Sequence, residues 1–240
     1  MTIALNRRHF LGGSAVAAGL ATLPARLLAA QSPAAWDAVR KSLQSFVDTK
    51  YVPGVVGLIG RGTEAPDVLK AGSLAFDNAT PVDENTLFRC YSMTKPITGI
   101  AAMMLIEDGK LKLDQNIADF LPGFANPRVM TEPDKSLASR PAAGPITVRN
   151  LLTHTAGLGY TIVTKGPLLD AYVQLGLTPG AVSRKQLPGQ PPITTAPSLA
   201  EFANRLATLP LVADPGTVWS YSVSLDLMGR IIELASGKPF

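Results

Sequence analysis

Phe88-Arg89-Cys90-Tyr91-Ser92-Met93-Thr94-Lys95-Pro96-Ile97-Thr98 is the stretch on which the fold turns, and it holds the only S-x-x-K of the chain, Ser92-Met93-Thr94-Lys95. It begins with a plausible short strand, Leu87-Phe88, and runs into a strongly apolar helix expected from about Met93 to Asp108, with Gly109 closing it. Residues three apart on a helix share a face, with Cβ atoms about 5–6 Å apart. Lys95 can therefore reach the Ser92 hydroxyl across one turn. A helix N-terminus adds unpaired N–H groups and positive potential, which favour a developing oxyanion. Pro96 costs nothing there, because the N–H it lacks would be unpaired in the first turn. Sunk between apolar side chains, a lysine loses its proton more readily and can serve as a base. Local sequence leaves a second reading open, a serine N-cap with a solvated lysine.

Working outward, Ser32-Pro33 reads as the N-cap and first turn of a helix whose apolar face is Trp36, Val39, Leu43, Phe46 and Val47. Val55–Ile59 and Val68–Ala75 flank a turn-rich segment and predict a β-hairpin. Thr147 is placed to cap a short helix carrying Leu151 and Leu152, and Ser198-Leu199-Ala200-Glu201 is a capping box before Phe202, Leu206 and Leu209. A last helix carries Leu227, Met228, Ile231 and Ile232 and ends at Gly237. Residues 122–145 and 176–197 lack periodicity and read as long loops. A hairpin alone is marginal and calls for further strands, so the expected fold is α+β with its C-terminal sheet strands missing.

The chain has 240 residues, 46% hydrophobic and 17% charged, as in an ordinary globular protein. Its net charge of +4 is concentrated at one end. Arg7, Arg8 and Arg26 lie in the first thirty residues with no acid, leaving 19 basic against 18 acidic side chains in the remainder. A body so nearly neutral lacks the basic footprint of a nucleic-acid binder. One cysteine, Cys90, excludes an internal disulfide and a cysteine cage for a metal, and reads as a small buried hydrophobe. Only His9 and His154 could supply imidazole, so neither a metal nor another cofactor is expected. Asn6-Arg7-Arg8-His9-Phe10-Leu11, followed by a short, glycine-diluted apolar run, reads as a twin-arginine signal over residues 1–30. The run is too short to span a membrane. The expected destination is the bacterial periplasm or cell envelope, reached through the twin-arginine export machinery. Residues 31–240 are then the body of the protein, expected to be an incomplete domain.

Three further blocks follow the S-x-x-K stretch: Asp108-Gly109-Lys110-Leu111-Lys112-Leu113-Asp114, residues 146–158 with Thr153-His154-Thr155-Ala156-Gly157-Leu158, and Pro215-Gly216-Thr217-Val218-Trp219-Ser220-Tyr221-Ser222-Val223. With these four blocks in this order, the chain resembles the serine β-lactamase-like family: penicillin-binding proteins, class C β-lactamases and family VIII carboxylesterases. The resemblance implies that residues 31–240 are a partial β-lactamase-related serine hydrolase domain of β-lactamase/transpeptidase-like fold, in which Ser92 is the acylated nucleophile, Lys95 its base and Tyr221 a proton relay. Taken alone, Tyr221 could be a core tyrosine with a satisfied hydroxyl. A phenol titrates near 10, so the relay needs nearby positive charge, for which Lys95 is the source. The resemblance also implies that His154 and Gly157 are structural elements near the pocket, and Tyr91 is a candidate for its wall.

Class C enzymes carry Asn two residues after this tyrosine; here Val223 stands at that place, also as a candidate lining residue. Loss of that amide partner favours simple esters over amide-bearing β-lactams, so carboxylic ester hydrolysis is the leading expectation. A β-lactamase or D-alanyl-D-alanine carboxypeptidase, an acyltransferase, and a silent scaffold that binds peptidoglycan are the alternatives. The family's third motif, K-T-G-like or W-G-G-like, has no match, and it is expected beyond Phe240 together with the strand that supplies a second oxyanion-hole N–H.

Overall fold

The computed structural model describes residues 36–179 and 195–240. The twin-arginine segment, the Ser32-Pro33 helix start and the proline-rich part of the second loop lie outside the described residues. The chain divides into two compact units, up to Phe88 and from Arg89 onward.

In the first unit, helix α1 (Asp37–Asp48) packs on a three-stranded antiparallel sheet of β1 (Gly54–Ile59), β2 (Asp67–Ala75) and β3 (Asn78–Pro81), in that order. The expected hairpin is β1–β2, with Gly54 opposite Gly72 and Ile59 opposite Asp67. Trp36 Nε1 donates to Asp67 Oδ2 at 2.8 Å, tying the start of α1 to the sheet. Strand β3 was not anticipated. Its four residues Asn-Ala-Thr-Pro carry no apolar alternation, and its register on β2 is irregular. The expected strand at Leu87-Phe88 does not form: both residues are in irregular backbone, with Leu87 98% exposed.

The second unit is helical, with one small hairpin. A 3₁₀ turn at Tyr91–Met93 leads directly into α2 (Thr94–Glu107). Gly109 (φ 72°) ends α2 in a Schellman arrangement: its N–H donates to Ile106 O and that of Lys110 to Leu105 O. Strands β4 (Arg128–Met130) and β5 (Ser139–Pro141) pair antiparallel inside the stretch expected to be loop. Three-residue strands containing Arg128, Arg140 and Pro141 show no period-2 pattern, and a long-range bridge from Val129 to Leu211 helps hold them.

Helix α3 (Val148–Leu152) starts as expected: Thr147 Oγ1 accepts from Asn150 N, and Asn150 Oδ1 accepts from Thr147 N at 2.9 Å. Helices α4 (Gly166–Gln174), α5 (Leu199–Leu206) and α6 (Ser224–Ser236) complete the unit. The box expected at α5 is half made. Ser198 Oγ accepts from Glu201 N at 3.1 Å, but the Glu201 carboxylate is taken by Arg205 at 2.7 Å. Helices α2, α3 and α5 all pack on α6, which supplies Leu227, Met228, Ile231 and Ile232 to the core.

Helix α2 is buried on one face only. Thr98, Ala102 and Leu105 point into the core, whereas Ile97 is 65% exposed and Ile100 and Met104 are exposed with it. The strongly apolar composition of this helix therefore does not translate into burial on every side. Asp114 is exposed at the surface, where Arg149 meets it in a bidentate pair at 2.7 and 2.9 Å.

Candidate active site

Ser92 sits in the middle of the 3₁₀ turn that opens α2, so its hydroxyl stands at the head of the helix and not within it. The turn's backbone is already bonded: Met93 N–H donates to Cys90 O, and Thr94 N–H to Tyr91 O. No side chain caps it, which leaves the Ser92 hydroxyl for other work. Tyr91, immediately before the serine, has φ 46°, a left-handed conformation that costs a bulky residue energy and is typical of functional sites.

Two groups converge on the Ser92 oxygen. The Tyr221 hydroxyl donates to Ser92 Oγ at 2.7 Å, and Lys95 Nζ lies 3.4 Å from the same oxygen. Lys95 is half-buried, its ammonium 4.8 Å from the Tyr221 ring centroid and 5.9 Å from that of Tyr160. It is therefore shielded by two aromatic faces. Partial burial pushes the Tyr221 phenol up, but its hydrogen bonds with Lys95 and Ser92 and the charge of a protonated Lys95 outweigh this, and the net direction is down. A phenol relay requires nearby positive charge, and Lys95 supplies it once it holds the proton.

Tyr221 is held in place by His154. The residues on either side of it both bond to this histidine: Ser220 N–H donates to the His154 carbonyl at 2.9 Å, and Ser222 N–H to His154 Nδ1 at 3.2 Å. Because Nδ1 accepts a backbone N–H, the neutral ring carries its proton on Nε2. Burial and then the Lys95 charge both push the imidazole pKa down, which keeps it neutral. The ring itself lies 4.9 Å from that of Tyr221, and Tyr160 closes the other side at 5.4 Å. His154 thus braces the backbone on both sides of Tyr221 and packs on its ring.

Gly157 also serves geometry. It has φ 77°, and a Cβ there would stand 2.1 Å from Ala213 O. The absence of a side chain lets residues 154–159 run beside 212–223, joined by Val212 N–H to Gly157 O at 2.7 Å and Val223 N–H to Gly159 O at 3.2 Å.

The site opens into a cleft of about 580 Å³ lined by Ser92, Lys95, Tyr91, Tyr160, Leu225 and Asp226, among others. Tyr91 is on its wall, as expected. Val223 is not: it is fully buried and belongs to the core beneath the site, where its N–H and its packing hold the start of α6. Cys90, expected to be buried, is exposed and lines the cleft. Sequence reasoning missed Tyr160 and Asp226. Tyr160 is 5% exposed and packs edge-on against Tyr221. A lone acid beside Leu225, Leu227 and Met228 was the available signal for Asp226. Among the described residues there is no group of His, Cys, Asp and Glu that could hold a metal ion, and no helix is long and apolar enough to cross a membrane.

Together, a hydroxyl with a phenol and an amine on the same oxygen, at a helix head in a cleft, can lose a proton to one neighbour and return it through the other. This is the constellation of the serine β-lactamase-like enzymes, and the Beta-lactamase family model matches residues 39–240. The chain belongs to that family. It is 33% identical over 218 residues to Esterase EstB of Burkholderia gladioli, covering 91% of this chain and 48% of that protein. It is also 33% identical over 159 residues to the monacolin J acid methylbutanoyltransferase of Aspergillus terreus, covering 65% of this chain and 34% of that one. Among solved structures, EstCE1, described as a hydrolase with promiscuous acyltransferase activity, superposes with a TM-score of 0.67 at 30% identity, over 84% of this chain and 48% of its own. Simvastatin synthase (LovD) from Aspergillus terreus superposes at 0.61 and 28% identity, over 88% and 49%. The chain spans about half the length, or less, of these relatives.

Proposed function

We propose that this protein is a serine hydrolase of carboxylic esters that works through an acyl-enzyme on Ser92. The observation that carries this reading is the placement of Tyr221 and Lys95 at 2.7 and 3.4 Å from one serine oxygen. The Lys95–Tyr221 pair enters the reaction one proton short, with Lys95 as a neutral amine beside the Tyr221 phenol. In the first half-reaction the Ser92 O–H bond breaks as Oγ bonds to the ester carbonyl, and the proton passes to Lys95, which becomes the ammonium. Tyr221 and Lys95 then return a proton to the departing alkoxide. In the second half water takes the place of the alcohol, and the same groups run in reverse. General acid–base help of this kind contributes about 10²–10⁴-fold.

The esterase named among the relatives supports the ester as substrate class, and the named acyltransferases support a variant in which an alcohol replaces water. The two differ only in the acceptor. The twin-arginine segment at Asn6–Leu11 supports export of the folded protein to the cell envelope, which fractionation of cells with and without Arg7→Lys, Arg8→Lys would test.

The catalytic reading is tested with p-nitrophenyl butyrate. A burst of p-nitrophenol followed by slower turnover is expected, abolished by Ser92→Ala. Undiminished turnover in that variant refutes the proposal. Adding a short alcohol and measuring ester products separates transfer from hydrolysis, and nitrocefin tests the β-lactam alternative.

A further inference from the structure

Asp226 has no part in the mechanism above, yet it lines the same cleft as Ser92 and Lys95. It lies in the first turn of α6, where a helix N-terminus favours negative charge. Its Oδ2 is closed off from solvent and has no hydrogen-bond partner among the described residues. An unpaired buried carboxyl oxygen is costly, and such groups call for an explanation. Three groups face Asp226 electrostatically, each from a different part of the unit. They are Lys95 on α2, Tyr160 in the turn after α3, and Tyr221 in the segment before α6. Arg89 lines the same cleft from the segment before Ser92. On α6 itself, Arg230 and Glu233 are paired with each other at 2.8 Å.

We propose that Asp226 is a positioning residue for the Ser92–Lys95–Tyr221 group, a fixed carboxylate that balances the ammonium formed when Lys95 takes the Ser92 proton. The proposal rests on the acyl-enzyme reading. Its chemistry adds no reactant: the Ser92 O–H bond breaks, Oγ bonds to the acyl carbon, the proton rests on Lys95 beside Asp226, and it leaves with the alcohol. Helix α2, which carries Lys95, packs directly on α6, and both side chains line the same cleft. Burial raises the Asp226 carboxyl while the lysine charge opposes that rise. Its negative charge also acts against ionisation of both Tyr160 and Tyr221. Asp226 thereby favours the protonated form of both phenols and leaves the Lys95 amine as the group that takes the Ser92 proton.

The test is the pH dependence of Ser92 labelling by a fluorophosphonate between about pH 5 and about pH 9, in wild type, Asp226→Asn and Asp226→Glu, each checked for folding by circular dichroism. Removing an opposite charge shifts a neighbouring titration by about one unit or more. Asp226→Asn should therefore move the acid limb down by about one pH unit, and a lost ion pair of this kind should lower the plateau by roughly tenfold. Asp226→Glu, which keeps the charge, should retain the wild-type limb. If Asp226→Asn does not fold, Asp226→Ser takes its place. A limb that coincides in all folded variants overturns the proposal, even if rates fall, because a merely structural role lowers rate without moving the limb. Wild type that does not label, or labels equally as Ser92→Ala, overturns the acyl-enzyme reading instead.

Discussion

Replacing Tyr221 by Phe removes one oxygen and almost nothing else. The ring keeps its neighbours, His154 at 4.9 Å and Tyr160 at 5.4 Å, and the backbone clamp from His154 to Ser220 and Ser222 does not involve the phenol. What is lost is the 2.7 Å bond to Ser92 Oγ and the bond to Lys95. At a half-exposed position a neutral hydrogen bond contributes about 0.5–1.5 kcal/mol, and the lower end applies here. For a chain of this size that amounts to roughly 2–4 °C in Tm or less. The phenol's folded titration lies below the unfolded value, so any stability from its ionisation is full above about pH 10 and is lost as pH falls through the folded value. Activity is another matter. Loss of the relay should cost about 10²–10⁴-fold in acylation, or about 2.7–5.5 kcal/mol in the barrier. Stopped-flow release of p-nitrophenol alongside thermal melts separates the two effects. A variant whose burst rate stays within a few-fold of wild type refutes the relay. A variant that unfolds refutes the packing argument.

His154→Gln should leave the nucleophile intact but loosen Tyr221, lowering kcat by roughly tenfold, the cost of a small misplacement of reacting groups, with little change in KM. Because burial and Lys95 depress the imidazole pKa, its stabilising contribution is full above about pH 6.5 and drains away as pH falls. Wild type should therefore lose more Tm than this variant between neutral and mildly acidic pH. Gly157→Ala forces a left-handed alanine against Ala213 O and should cost at least about 1–3 kcal/mol in urea unfolding. Val223→Asn buries an amide in the core, so it should destabilise by about 1–3 kcal/mol and bring no gain with cephalosporins. A gain would mean that this side chain reaches the cleft.

The proximity of Ser92 and Lys95 was legible in sequence because residues three apart meet across one helical turn, but that spacing left a serine cap with a solvated lysine open until the order of the four blocks was added. The caps at Thr147 and Ser198 were legible for the same local reason. Tyr221 was not local: 129 residues separate it from Ser92, and only the order of four blocks brought the two into one site. Val223 failed because spacing along a chain says nothing about which side of a turn a residue faces, and the turn before α6 sends it into the core. Cys90 failed through its residue type, since cysteines are commonly buried and this one lies at an exposed cleft edge. Asp226 was hidden because an acid in the first turn of a helix ordinarily needs no explanation beyond the helix dipole. Its meaning comes from the lysine on the neighbouring helix.

The acyl-enzyme itself can be weighed. Intact mass followed by peptide mapping after brief exposure to a fluorophosphonate should find one adduct, on Ser92, formed far more slowly once Lys95 is replaced by Ala. An adduct on any other residue, or one that forms at the wild-type rate without the lysine, contradicts the account.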